Sequence, residues 1–238
     1  MITDLNEANK EFDWQCHSLL SNGQFVGKSL PGMYEKAFND KTIIEKINNL
    51  IDLSDKTCLE VACCEGLYTL ILCDYCKSVD ATDARPENVQ KTIHRLFFHK
   101  KYAKVYELKC ENINNYYDII YHSGVFYHLI NPIEHLFKLR NFCNYLYLET
   151  HYENDVKKCI KFKFDKKFYY IKKKSNNLKK NKRSAFYGIY DYEILLYKKS
   201  LFDLITNCKF EIIDIFKVKK LEGKKRKPKG ERIGILLK

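Results

Sequence analysis

The stretch "KTCLEVACCEGLYTLILC", Lys56 to Cys73, decides how this chain is read. A short apolar run ends in an acid, Glu60; a tight turn of small residues follows, and Gly66 opens an apolar segment. Strand, turn and helix in that order form the first βα unit of an open α/β sheet, where ligands bind beyond the carboxyl ends of the strands. Backbone N–H groups and a helix N-terminus converge there. Where such a turn ordinarily carries glycines, this one has Ala62 and Cys64, which are small enough to substitute provided that neither needs a positive φ. At the end of the next apolar run, "SVDATD", stands Asp83, and a carboxylate there can accept both hydroxyls of a ribose. The dinucleotide fingerprint GxGxxG and the phosphate-loop GK[ST] are both absent.

Outward from this unit the chain alternates. "TCLEVAC" predicts a strand, "GLYTLILCDYC" a helix, "SVDATD" a strand and "RPENVQKTIHRLFF" a helix with Pro86 in its first turn. "KVYELKC" and "YDIIYHSGV" predict strands, "NPIEHLFKLRNF" a helix and "NYLYLETH" a strand. Such alternation predicts right-handed βαβ units and a parallel sheet with helices on both faces. Upstream, residues 1 to about 50 predict a helical segment, with Ile43, Ile44, Ile47 and Leu50 of "TIIEKINNLI" on one face; "SNGQFVGKSLPG" before it reads as a loop. Downstream, "IKFKF" predicts a strand, Ser175 to Lys182 a mobile connection and Lys172 to Lys174 a mobile, solvated run. "KSLFDLITNC" predicts a helix with Ser200 and Asp203 in capping-box spacing. "FEIIDIF" and "ERIGILLK" close the chain as two strands.

At 238 residues one sizeable domain with an appendage is expected. Hydrophobic residues at 45% and aromatics at 14% exclude a disordered chain. The longest apolar runs are too short to cross a bilayer, and "MITDLNEANKEFDW" lacks the features of a secretory signal; a cytoplasmic location is expected. The ten cysteines are then expected to be reduced and to serve as small hydrophobes. Cys73 and Cys76 form a CxxC without a second well-spaced pair, so no metal site is assigned. The net charge of +12 invites nucleic acid, but 6 of the 42 basic residues are Arg, the better reader of phosphate and guanine.

Glu60, Ala62, Cys64 and Gly66 resemble the acid and the three small positions of motif I, hh[DE]hGxGxG, of class I S-adenosylmethionine-dependent methyltransferases. "GLYTLIL", "VDATDARPENVQKT", "YYDIIYHSGVFYHLINPIEHL" and "LYLETH" resemble successive motifs of one branch of that family, which includes the tRNA wobble-uridine carboxymethyltransferase. "DWQCHSLLSNGQFVGK" resembles the segment ahead of its first strand. The resemblance covers about residues 12 to 151. It implies a Rossmann-like, doubly wound, seven-stranded, mostly parallel sheet with helices on both faces and an antiparallel last strand. It also implies an N-terminal helical lid at 1–50 and a methyltransferase domain at 51–238 carrying a basic, aromatic insertion at about 152–190. S-adenosylmethionine is the implied cofactor. Glu60 would orient its methionine amino group, the backbone around Ala62, Cys64 and Gly66 would line it, and Asp83 would hold the ribose. Ala84 and Arg85 would flank the adenine, which Glu111 or Asn112 would contact, and Ser123 and Gly124 would lie beneath the sulfonium.

For the acceptor, Tyr127 and His128 follow the fourth strand, and Glu149 and His151 end the fifth. A histidine titrating near neutrality can deprotonate an attacking hydroxyl or amine; equally, His128 can be a hydrogen-bonded structural residue. His17 and Trp14 belong either to the lid or to the core. Three functions stay open. The first is methylation of a small molecule or glycan, with the insertion shaping a pocket. The second is methylation of RNA, for which the basic stretches Lys157–Arg183 and Lys217–Arg232 interleave with Phe162, Phe164, Phe168, Tyr169 and Tyr170. The third is a non-catalytic protein of the same fold. The oligomeric state is not legible.

Overall fold

A computed structural model describes residues 2–27, 33–175, 188–218 and 231–238. They fall into two compact units, the first ending at Lys109 and the second beginning at Cys110.

In the first unit, α1 (Leu5–Glu11) is capped by Asp4, whose carboxylate accepts the Glu7 N–H, the usual remedy for an unpaired first-turn donor. The two-residue strands β1 (Ser18–Leu19) and β2 (Phe25–Val26) pair antiparallel, and α2 spans Met33–Ile51. Residues 1–50 are therefore not helical throughout. Ile43, Ile44 and Ile47 are buried as the periodicity predicts, but Leu50 is 48% exposed and Leu53 takes its place inside; the chain leaves the helix at Asp52, whose φ is 41°, and turns the next apolar residue inward. Three parallel strands follow, β3 (Thr57–Val61), β4 (Ser78–Asp83) and β5 (Lys104–Glu107), in the order β5-β4-β3. Between them run α3 (Leu67–Leu72) and α4 (Pro86–Phe98), the latter opened by Pro86 as expected.

The second unit begins its sheet with β6 (Tyr117–Ser123), connected through α5 (Pro132–Leu139) to β7 (Cys143–Glu153). These two strands are parallel, with Ser123 opposite Glu149. Five further strands belong to this unit: β8 (Ile160–Phe164), β9 (Lys167–Ser175), β10 (Tyr192–Tyr197), β11 (Ile212–Lys217) and β12 (Glu231–Leu237), with α6 (Lys198–Asn207) after β10. β12 runs antiparallel to both β7 and β11, β10 is parallel to the end of β7, and β8, β9 and β10 form an antiparallel meander. Ile119, Ile120, Leu146, Leu148, Ile235 and Leu236 are buried, each contributing about 1.5–3 kcal/mol by leaving water. Tyr121 stacks on Tyr147 at 4.7 Å.

Two expectations fail here. Lys172–Lys174 are not a mobile run: they lie in β9, where strand pairing to β10 fixes them. Ser200 does not cap α6, which starts at Lys198 with Tyr197 as its N-cap; the buried Ser200 hydroxyl instead accepts the Tyr170 N–H at 2.9 Å. The connection expected at Ser175–Lys182 lies outside the described residues beyond Ser175, which ends β9. Most of Lys217–Arg232 is likewise outside them. Among the described residues no helix is long and apolar enough to cross a membrane.

Candidate functional site

β3 carries Glu60 almost to its end, and the chain then turns sharply through Ala62, Cys63, Cys64 and Glu65 into α3. The turn alternates in backbone sign: Ala62, Cys64 and Gly66 have φ of 58°, 54° and 75°. The three small positions thus all adopt the left-handed conformation. The proviso placed on Ala62 and Cys64 is not met: both need positive φ, at a cost of about 1–2 kcal/mol each. Gly66 is constrained twice, because a Cβ there would meet Thr92 Cγ2 of α4 at 2.7 Å.

Asp83, ending β4, braces this turn. Its Oδ2 accepts the Cys64 N–H at 2.9 Å, and its Oδ1 accepts the Arg85 N–H at 2.9 Å and the Asn88 side-chain amide at 3.1 Å. A carboxylate has about four acceptor positions, so among the described residues an open one remains on Oδ2. Burial raises the Asp83 pKa, and these hydrogen bonds oppose that rise. Ala84 and Arg85 follow at the surface as half-buried residues.

Glu60 is 2% exposed, and among the described residues its carboxyl hydrogen-bonds the Thr69 hydroxyl of α3. Desolvation pushes its pKa up to about 8, with Thr69 acting against the rise and the nearby Asp83 charge adding to it. A buried acid without a counter-charge fits the ammonium of an amino-acid ligand. The Cys63 and Cys64 thiols are also held up by burial, which makes them inert packing groups. All ten cysteines are free. Among the described residues no three His, Cys, Asp or Glu side chains gather into a metal cluster.

A buried polar knot behind the turn escaped the sequence reading. Glu65 accepts the backbone N–H of Gln15 at 2.9 Å and of Cys16 at 3.0 Å, the Cys16 thiol, and Lys91 Nζ at 3.2 Å. Arg95 Nε donates to the Glu65 carbonyl and its guanidinium to Cys16 O and the Ser18 hydroxyl, while Trp14 packs beneath it at 4.9 Å. Trp14 and His17 are accordingly buried, and Trp14 Nε1–H donates to Ala8 O. The N-terminal segment is fastened to the very turn that carries the small residues. One signal existed: Lys91 and Arg95 stand four apart on the α4 face shared with Asn88 and Thr92, so charges occupy buried-face spacing.

In the second unit, Glu111 and Asn112 lie in a short 3-10 turn. Tyr190 OH donates to Glu111 Oε1 at 3.1 Å, while Asn112 is exposed. Ser123 ends β6, and its hydroxyl donates to the Glu149 carboxylate, which also pairs with Arg232 of β12. Gly124 has φ of 72°, which favours glycine, and a Cβ there would sit 2.9 Å from the movable end of Arg232, Nη2. Tyr127 and His128 follow in a 3-10 turn and are both buried. Their rings are 4.2 Å apart, Tyr127 meets His151 edge-on at 4.7 Å, and Glu193 of β10 places Oε1 3.7 Å from His128 Nδ1. Gly188 closes over the imidazole, since a Cβ there would meet Nδ1 at 2.6 Å. His135 of α5 is buried too: its Nε2 is 3.1 Å from His122 Nε2, and burial holds both histidines neutral, His122 down to about 4.

Residues 59–142 match the family described as "Methyltransferase domain". The N-terminal domain of EvdMO1, solved in the presence of SAH and D-fucose, is similar at TM-score 0.71 and 17% identity over 98% of this chain and 93% of that one. An S-adenosylmethionine-dependent methyltransferase from Clostridium acetobutylicum ATCC 824 is similar at TM-score 0.56 and 17% identity, over 85% and 91%. Magnesium protoporphyrin IX methyltransferase (ChlM) from Synechocystis PCC 6803 with bound SAH gives 0.60 and 10%, over 89% of each chain. No curated protein matches the chain. The chain thus has the α/β Rossmann-like fold of S-adenosylmethionine-dependent methyltransferases, with a mostly parallel sheet and an antiparallel C-terminal strand pair, and its residues 59–142 are similar to a methyltransferase domain.

Proposed function

We propose that this S-adenosylmethionine-dependent methyltransferase passes the methyl group to an oxygen or nitrogen of a small molecule or glycan. The observation that carries the cofactor half is the left-handed turn at Ala62, Cys64 and Gly66 braced by Asp83. Asp83 offers its open Oδ2 position to the ribose, the uncompensated Glu60 receives the methionine ammonium, and Ala84 and Arg85 flank the adenine. Glu111 or Asn112 meets the adenine edge, and Ser123 and Gly124 lie beneath the sulfur. When bound, the cofactor supplies a methyl group already activated by its sulfonium. In-line displacement then asks the protein mainly for positioning.

On the acceptor side, His128 takes the proton of the attacking hydroxyl or amine at Nε2 and Glu193, facing Nδ1, favours the imidazolium that results. Tyr127, wedged between His128 and His151, fixes the ring. Two findings support a small acceptor over RNA. The aromatic set of the insertion does not form one stacking array: Tyr169 is buried, and Phe164 packs on Phe137 at 5.5 Å. EvdMO1 was solved with D-fucose, and ChlM is named for a porphyrin acceptor. A cytoplasmic location accords with ten free thiols.

The test is methyl incorporation from labelled cofactor into sugar and small-molecule acceptor panels and into bulk tRNA. Incorporation into tRNA with affinity falling steeply as salt rises would overturn the acceptor assignment.

A further inference from the structure

The β8–β10 meander carries a surface that cofactor chemistry does not use. The β8–β9 register sets Lys161 opposite Tyr170 and Lys163 opposite Phe168, and directly paired residues share a sheet face. On that face Phe168 is 52% and Tyr170 36% exposed, and Lys161 Nζ lies 4.0 Å over the Phe168 ring. Among the described residues neither Lys161 nor Lys163 has an ion-pair partner. The same face continues along β9 to Lys174, which pairs with Glu193 of β10, and Glu193 is the carboxylate beside His128. The opposite face differs: Tyr169 and Ile171 point into the core, and Asn207 of α6 donates to the Tyr169 hydroxyl.

Lysines on an edge hairpin guard against strand-to-strand association. That role accounts for the charge but not for two exposed rings between the charges. Side chains two apart on a strand stand about 6.6 Å from each other, so Phe168 and Tyr170 present two neighbouring rings to solvent, with Lys161 and Lys163 opposite them on β8. Stacking rings beside lysines recognise a base and its phosphates. Two exposed rings on one nine-residue strand are too few to track a polymer.

We propose that this face binds a nucleoside diphosphate, and that the acceptor is a small molecule carried on such a handle, with its free end directed along β9 and β10 toward His128. The proposal rests on the methyl-transfer reading only for the reacting end. Calorimetry without cofactor tests the handle by itself, using uridine diphosphate, pyrophosphate, uridine and an eight-residue uridine oligonucleotide. Uridine diphosphate is expected to bind about one per chain, and at least tenfold more tightly than uridine or pyrophosphate. Phe168→Ala, and separately the Lys161→Gln/Lys163→Gln pair, should each weaken it about tenfold, with melting temperature and S-adenosylmethionine affinity unchanged. No binding, or affinity indifferent to these variants, overturns the proposal. So does tighter, strongly salt-dependent binding of the oligonucleotide, which would make the face a nucleic-acid surface.

Discussion

Replacing Ala62 by glycine isolates the conformational cost of the cofactor turn. Ala62 holds φ at 58°, and a single L-residue there is strained by about 1–2 kcal/mol. Glycine removes the strain, but it enlarges the unfolded ensemble by about 0.4–1 kcal/mol. The net expectation for Ala62→Gly is a gain of about 0.5–1 kcal/mol, or roughly 1–4 °C in Tm for a chain of this size. The opposite exchange at the third position, Gly66→Ala, introduces the same strain at φ 75° and drives a Cβ to 2.7 Å from Thr92 Cγ2 and 3.1 Å from Thr92 Cα. The helix backbone cannot yield as a flexible side chain would, so a loss of about 2–4 kcal/mol follows. Urea titration of the three proteins, read by circular dichroism, gives both numbers. A destabilised Ala62→Gly, or a Gly66→Ala of native stability, would refute the assignment of these three residues to one left-handed turn.

Glu65→Ala removes the buried carboxylate beside Arg95 and Lys91, whose side chains are 0% and 2% exposed, and leaves Lys91 with the exposed Glu87; a loss of about 3–5 kcal/mol is expected, with limited proteolysis releasing the segment before Gly27 first. Native stability in that variant would mean that the knot is not held by charge. Glu60, with its pKa raised to about 8, keeps its proton in the folded chain where the unfolded chain has lost it. Its contribution to stability is therefore complete below the ordinary carboxylate range and disappears as pH rises through 8. Cofactor binding to the anion should release close to one proton per chain at pH 7, measured by calorimetry in buffers of different ionisation enthalpy, and Glu60→Gln should abolish the release. Glu193→Gln should depress turnover while leaving cofactor affinity intact, since its carboxylate faces His128 Nδ1; turnover equal to the parent's would remove this pair from proton transfer.

How much of this was written in the sequence depends on the range of the interaction. β4 begins and ends where "SVDATD" does, and α4 starts at Pro86, because alternation and a first-turn proline are local signals. The two-residue strands β1 and β2 have no period to detect, and Leu50 lay on the expected face but beyond the packed part of α2. β9 was obscured by its own lysines: charge in Lys172–Lys174 reads as solvation, yet Lys172 pairs with Glu153 and Lys173 lies over Tyr192 at 3.9 Å. In the candidate site, the places of Glu60 near the end of β3, Asp83 at the end of β4 and Gly66 at the start of α3 were legible from position. The positive φ of Ala62 and Cys64 was not, since small side chains announce volume and not backbone sign. The Glu65 knot joins residues near 16, 65, 91 and 95, and Glu193 reaches His128 across 65 positions of sequence; no window along the chain contains either.

Titration calorimetry of S-adenosylmethionine and its demethylated product against the parent chain and Asp83→Ala tests the central claim most directly. One site per chain is expected, with affinity at least tenfold weaker in the variant, because a charged acceptor of hydrogen bonds contributes about 1.5–3 kcal/mol and Asp83 also braces the turn through the Cys64 N–H. A parent chain that binds neither ligand, or an Asp83→Ala variant that binds as the parent does, would contradict it.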